Sequence, residues 1–417
     1  MGETTFIKTN QAADTLKKAS QRFFRVDIML VVVTIILMIF GLVMVYSSSW
    51  NFSILANDTT NYAVKRQAFW LIIGSAAAIC CTFLDYHRYR KIALPALLVS
   101  VISLFAALFF PASEFGARRT LFGGSVQPSE LAKLLIIIYI SVWLYSKRER
   151  LNNIFFGLVP LGMIVGLIGG LILAQPDLSA AITIILLGGV LFYMADAEMR
   201  QIILVVLLIA LVGFFFIMIS SNGRERLIDY WNGLQDPTNA SDHVRYSLRA
   251  IVEGGLFGKG LGRGTIKVIG LPVAWTDSIY AVIAEELGIV GAGSIMVMYL
   301  IILWRGITIA KKAPDQLGRL LAGGIIFWIT WEAIINMGVM VNVFPFAGNA
   351  LPLVSTGGSS LVSVLVAIGI LLNISRAGNS QPEQTDRRLF GAYLGKRRRD
   401  RRRRLSRSNR PASSRNE

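Results

Sequence analysis

Three carboxylates fall within ten residues, Asp277, Glu285 and Glu286, in the stretch LPVAWTDSIYAVIAEELGIVGAG (271–293), which runs directly into the apolar segment 294–303. A carboxylate at helix depth in a bilayer costs about 2.5–3.5 kcal/mol on insertion scales, so acids placed there face a cavity or a partner and mark a functional site. Read as one continuous helix, the stretch puts Asp277, Ala281, Ala284 and Gly288 on one face, with Glu285 at its side and Glu286 pointing the opposite way. Eight residues of helix separate Asp277 from Glu285 by about 12 Å, too far for a tight carboxylate pair. The expectation is one reactive acid near the surface, Asp277, and one or two deeper structural acids.

Other residues with chemistry lie in short polar interruptions. GARRTLFGGSVQPSELAKL (116–134) carries Arg118 and Arg119, whose donor forks suit phosphate or pyrophosphate. It also carries Glu130 and Lys133, i,i+3 neighbours that either pair with each other or leave Lys133 for a ligand. In AQPDLS (174–179), Asp177 is placed to cap the helix that follows. Glu332 and Asn336 share a helix face at i,i+4, where intramembrane polar groups join helices. LPLVSTGGSSL (351–361) has the small residues of close helix packing. GGLFGKGLGRG (254–264) has the look of a phosphate-cradling loop, but it lacks the GK[ST] ending and a preceding strand. Close backbone packing is the favoured reading, with backbone N–H groups turned toward an anionic ligand as the alternative.

The elements that must position these residues are membrane spans. The 417 residues are 54% hydrophobic before their 38 glycines are counted, with a mean hydropathy of +0.58, against about 45–50% with glycine included for soluble domains. Apolar runs of span length are expected near 28–46, 68–84, 92–110, 131–145, 155–174, 178–195, 201–220, 279–303, 320–341 and 350–373. The fold class is therefore all-α polytopic, with ten transmembrane helices and a large extracytoplasmic loop, 221–278, between helices seven and eight. Within that loop, 246–252 reads as a short amphipathic helix. Residues 1–27 form a basic N-terminal tail, 28–375 the ten-helix domain and 376–417 a disordered basic tail.

Ten spans put both termini on one side, and 30 of the 42 Lys and Arg residues fall there. The positive-inside rule makes that side cytoplasmic. The net charge of +17 is thus a matter of topology. The tail KRRRDRRRRLSR fits anionic lipid headgroups, and with no aromatics interleaved it gives no reason to expect a nucleic-acid partner. Cys80 and Cys81 sit in an apolar run and read as packing.

These motifs carry a resemblance. LPVAWTDSIYAVIAEELG, ARRTL…QPSELAKL, QPDLS, GGLFGKGLGRG and LPLVSTGGSSL…GILLNISR resemble, in order, the signatures of the SEDS family of shape, elongation, division and sporulation proteins. The resemblance covers Asp27 to Arg376. VYSSS after span one and the GILLNISR ending are more similar to the division branch than to the elongation branch.

The resemblance implies a peptidoglycan glycosyltransferase that polymerises lipid II at the outer face of the bacterial cytoplasmic membrane, at the division septum. Asp277 matches the family's essential Asp and would be the general base. Arg119 matches a family Arg and would contact pyrophosphate, helped by Lys133. Glu285 and Glu286 match the EE pair and would shape the cavity. The substrate-binding set expected from these matches is Arg119, Arg118, Lys133, Gln175, Asp177, Glu285, Glu286, Asn336, Ser355 and Ser359.

A class B penicillin-binding protein and other division proteins are the implied partners, and a divalent cation, Mg or Mn, the implied cofactor. There are departures from the family pattern: Trp275 replaces His, Thr120 replaces Trp, Ser179 replaces Gly, Thr356 replaces Tyr, and Phe346-Ala347 replaces a Thr-containing pair. Rival readings are a lipid II flippase or transporter, since intramembrane charges also mark transport pathways, an elongation-type polymerase, and a division scaffold without chemistry.

Overall fold

The computed structural model describes residues 26–57, 61–110, 126–219 and 221–379, and its regular elements are helices. Ten apolar helices stand where spans were expected. They are α1 (Ile28–Asn57), α2 (Tyr62–Phe83), α3 (Tyr89–Ala107), α4 (Pro128–Ser146), α5 (Leu158–Leu173), α6 (Leu178–Met194) and α7 (Met199–Ile219), then, after the long connection, α11 (Ile279–Lys311), α12 (Gln316–Met340) and α13 (Gly358–Gly378). Three helices occupy the connection: α8 (Ser221–Gln235), α9 (Asp242–Gly254) and α10 (Ile266–Ile269). Seven of the ten are long and apolar enough to cross a membrane, and α5, α6 and the Met199–Leu208 part of α7 are shorter apolar helices. The chain is an all-α integral membrane protein.

Some boundaries depart from the hydropathy reading. The first helix continues through polar residues to Asn57. Within it the Ser48 and Ser49 hydroxyls donate back to the Val45 carbonyl, at 3.4 and 2.6 Å, so both polar groups are satisfied inside the helix. The fourth span, expected near 131–145, is a 19-residue helix started by Pro128, whose missing N–H costs nothing in the first turn. The tenth begins only at Gly358. Before it, residues 341–357 run without helix and include two left-handed residues, Asn342 (φ 58°) and Leu353 (φ 67°). Hydropathy does not distinguish an apolar loop buried among helices from a helix. The short helix expected at 246–252 is the longer α9.

The apolar core runs through Leu104 of α3, Ile136, Ile140 and Leu144 of α4, Ile168 and Ile172 of α5, Ile184 and Leu191 of α6, and Leu320 of α12. At one end of the bundle Asp27 accepts from the Leu30 N–H at 3.0 Å, capping α1, and takes the Arg305 guanidinium of α11 at 2.5–3.1 Å. At that same end Asn373 of α13 donates to the Thr82 carbonyl (2.8 Å) and accepts from the Tyr86 N–H (3.1 Å). The bundle is thus pinned at the end remote from the carboxylate stretch. The loops 255–278 and 341–357 converge at the other.

Candidate active site

The carboxylate stretch is not one helix. α11 starts at Ile279 and breaks at Gly288, whose φ of 71° and ψ of −174° interrupt the helical path. Asp277 precedes the helix, in a run of turns from Pro272 to Ser278. The helical wheel drawn from Asp277 therefore does not hold. Nor does Glu286 point away from its neighbour into other surroundings, since Glu285 and Glu286 are both fully buried and grip one loop.

That loop is the Gly-rich segment 254–264, laid against the break. Ile289 and Val290 donate to the carbonyls of Gly255 (2.9 Å) and Leu256 (3.2 Å), and Lys259 and Gly260 donate to the carbonyls of Glu285 (3.0 Å) and Glu286 (2.9 Å). The backbone groups orphaned at both helix ends are thus satisfied by the loop. Glycine is needed on both sides of the contact. A Cβ on Gly258 would lie 2.2 Å from the Glu286 carbonyl oxygen and one on Gly288 2.3 Å from that of Leu256. Both glycines have positive φ.

The same loop cradles the two acids. Glu285 accepts from the Thr265 N–H (2.7 Å) and hydroxyl (3.0 Å), the Ile266 N–H (3.2 Å) and Lys259 Nζ (2.9 Å). Hydrogen bonds to Glu253 and Glu285 hold the Lys259 ammonium above the ordinary lysine pKa. Glu286 accepts from the Gly262 N–H (3.0 Å), Lys267 Nζ (2.5 Å) and the Ser47 hydroxyl of α1 (2.7 Å). The two readings of the Gly loop turn out to be one arrangement. It packs closely, and its N–H groups do face anions, but the anions are the chain's own Glu285 and Glu286. The VYSSS motif acquires a role as well, since its Ser47 ties α1 to this cradle.

Asp277 sits on a turn held from three directions. Asn336 of α12 donates to the carbonyls of Asp277 (2.7 Å) and Asn349 (2.6 Å). The Ser355 hydroxyl donates to the Thr276 carbonyl (2.6 Å), and the Thr356 N–H to that of Trp275 (3.0 Å). From α9, His243 Nδ1 meets the Ser278 hydroxyl at 3.1 Å. The carboxylate itself lies beside Gly348, where a Cβ would come within 2.9 Å of Oδ2. Asp277 is half-buried, whereas Glu285 and Glu286 are sealed.

The remaining expected residues form two further groups. Lys133, buried, takes Glu130 at 2.7 Å and Glu332 at a shorter distance. The expected i,i+3 pair is present, and it is joined by the acid one turn before Asn336. In the second group Asp177 caps α6 through the Ala180 N–H (3.1 Å) and accepts from Gln127 Nε2 (3.0 Å). The Gln127 N–H donates to Ser359 Oγ at 2.9 Å, and Gln175 is tied to the Leu104 carbonyl at 2.7 Å. The structure thus brings Asp277, Asn336 and Ser355 together, and groups Asp177 with Ser359 at the start of α4. Arg118, Arg119 and Thr120 lie outside the described residues.

Sequence reasoning missed His243, Phe346 and Gln127. His243 and Phe346 stack with centroids 4.1 Å apart, yet they are about a hundred residues apart in the chain; His243 belongs to none of the motifs, and Phe346 was singled out only as a departure from the family pattern. Gln127 was passed over as the polar start of a span. Among the described residues no three His, Cys, Asp or Glu side chains are placed to hold the divalent cation that the resemblance implies. Glu285 and Glu286 are already matched by lysines and N–H groups.

This geometry can be set against known proteins. A family model described as "Cell cycle protein", for the FtsW, RodA and SpoVE group, matches residues 27–380. The chain is 37% identical over 369 residues to "Probable peptidoglycan glycosyltransferase FtsW" of Geobacter metallireducens, covering 86% of this chain and 96% of that protein. It is 35% identical to "Stage V sporulation protein E" of Bacillus subtilis, covering 87% and 99%. Among solved structures, its fold is similar to a chain from work on "structural coordination of polymerization and crosslinking by a peptidoglycan synthase complex" (TM-score 0.69, 24% identity, 85% of this chain and 99% of that one). The fold is also similar to the rod shape determining protein RodA of Thermus thermophilus (TM-score 0.61, 24% identity, 84% and 97%).

Proposed function

The chain belongs to the FtsW, RodA and SpoVE family of cell cycle proteins, and from that premise we propose that it is a peptidoglycan glycosyltransferase that polymerises lipid II with Asp277 as general base. The observation that carries the assignment of the base is the bracing of the turn on which Asp277 stands. Asn336, Ser355 and His243 each hold a group of that turn. Asp277 is half-buried there, whereas Glu285, Glu286 and Glu332 are sealed inside the bundle. A base must be positioned before its basicity counts.

In this reading the 4-hydroxyl of the acceptor sugar attacks the anomeric carbon of the donor. Its proton passes to the Asp277 carboxylate, and the bond from that carbon to the pyrophosphate oxygen breaks, releasing undecaprenyl pyrophosphate. A single displacement inverts the α-linked donor to a β-1,4 linkage, so no carboxylate nucleophile is required. Arg119 is the proposed pyrophosphate contact. Lys133, its expected helper, is buried and donates to Glu130 and Glu332, which leaves one of its three N–H donors for a substrate oxygen.

The site then belongs at the outer face of the cytoplasmic membrane, with both termini inside. The structural neighbour from a synthase complex supports a transpeptidase partner, which we take to be a class B penicillin-binding protein at the septum, with other division proteins alongside. The break in α11 is the one feature that favours a flippase, because discontinuous helices also build transport sites. Incubating the purified chain with lipid II and resolving the product on a gel decides between them. Polymer should appear with the wild type and fall about 10²–10⁴-fold with Asp277→Asn. Lipid II translocation without polymer would favour the flippase.

A further inference from the structure

His243 has a defined neighbour on each side of its ring. Nδ1 lies 3.1 Å from the hydroxyl of Ser278, the residue after Asp277. One face stacks on Phe346, with 4.1 Å between centroids and 20° between planes. The Arg226 guanidinium lies 5.4 Å from the same Phe346 ring. Three segments distant in sequence therefore fix one imidazole beside the turn that carries Asp277.

The tautomer follows from the hydrogen bonds. The Ser278 hydroxyl donates its one proton to the Pro272 carbonyl, 3.1 Å away. Toward the ring it can only accept, so Nδ1 carries the imidazole proton and Nε2 a lone pair. Among the described residues Nε2 has no hydrogen-bond partner. Burial first, and then the charge of Arg226, push the pKa of His243 down to about 4. The ring is thus neutral at physiological pH and Nε2 remains an acceptor. An anion would find no donor at Nε2, whereas a neutral hydroxyl group supplies one.

We propose that His243 Nε2 is a binding site for a hydroxyl of the acceptor saccharide, with Ser278 and Phe346 holding the ring in the plane that presents it. The inference rests on the glycosyltransferase reading and names a substrate contact separate from the base. Such a contact is made alike in the ground state and the transition state, so its loss appears in KM rather than kcat.

Two amide substitutions separate the nitrogens. His243→Asn keeps a donor near Nδ1 for Ser278 and removes the acceptor at Nε2. His243→Gln carries an amide to the reach of Nε2 and gives up the Ser278 contact. Initial polymerisation rates are measured across lipid II concentrations with the full chain in detergent. We expect His243→Asn to raise KM about 3–10-fold, the worth of one neutral hydrogen bond, with kcat within about twofold, and His243→Gln to restore KM. A normal His243→Asn beside an impaired His243→Gln would mean that the ring acts only through Ser278, and would overturn the proposal. Loss of kcat at unchanged KM, or no effect of either substitution, would overturn it equally. No polymer from the wild type would remove the glycosyltransferase reading itself, and this inference with it.

Discussion

The carboxylate of Asp277 and the α-carbon of Gly348 share a space too small for one more carbon atom: a Cβ at position 348 would stand 2.9 Å from Asp277 Oδ2. The atom that must yield is the tip of a side chain, so the fold tolerates the change while the carboxylate does not. Gly348→Ala should leave thermal stability close to wild type and lower the initial rate of polymerisation about 10²-fold, the effect of roughly 1 Å of misplacement. A normal rate would show that Asp277 need not stand where the structure holds it.

Glu286 and Lys267 form a buried pair at 2.5 Å, shared with Ser47. Removing one partner of such a pair leaves the other uncompensated and costs about 3–5 kcal/mol, while replacing both by apolar groups is often close to neutral. Glu286→Gln should lower the unfolding temperature in detergent strongly. Glu286→Leu combined with Lys267→Met should recover much of the loss. A double variant no better than the single one would mean that the backbone N–H groups, rather than Lys267, set the cost.

The depressed pKa of His243 makes the fold sensitive to acid. The folded chain takes up this proton near pH 4, the unfolded chain near 6.5. Between those values the unfolded state binds more protons, so this contribution to stability is complete above about pH 6.5 and is lost as the pH falls toward 4. The Tm of the wild type should therefore drop more steeply from pH 7 to pH 4.5 than that of His243→Gln. Parallel slopes for the two proteins would dismiss this origin.

Arg119 is expected to gain attraction for the leaving group as its negative charge develops. Arg119→Ala should cut the rate at saturating lipid II more than it weakens apparent affinity. Arg119→Lys should recover only part, since a point charge does not reproduce the bidentate fork. Arg118→Ala should be milder. Equal, near-normal rates for both alanine variants would place Arg119 among the residues that merely anchor the loop.

Ten apolar helices, an acid at the outer end of the eighth span and the Asp177 cap were legible in the sequence because each rests on a local signal: run length, a polar residue at a span end, or a capping residue before a helix. The turn that carries Asp277 was not, since 271–293 reads as one helix. The break at Gly288 was not legible. A glycine in an apolar run reads as helix packing, and only the partner segment 255–260, some thirty residues earlier, supplies the hydrogen bonds that make a break tolerable. The same holds for the burial of Glu286, which a wheel placed on the opposite face from the reactive acid. A wheel assumes one wet and one dry side, and this half-helix is enclosed all round. The stack of His243 on Phe346 depends on long-range folding and leaves no local trace.

The cradle around Glu285 and Glu286 also bears on how the chain is made. Lys259, Lys267 and the glycines that hold the two acids precede them in the sequence, and a growing chain emerges from its N-terminus onward. The counter-charges are synthesised before the charges they neutralise. When the acidic half of α11 reaches the bilayer, its partners already exist, and neither glutamate has to enter the hydrocarbon without them.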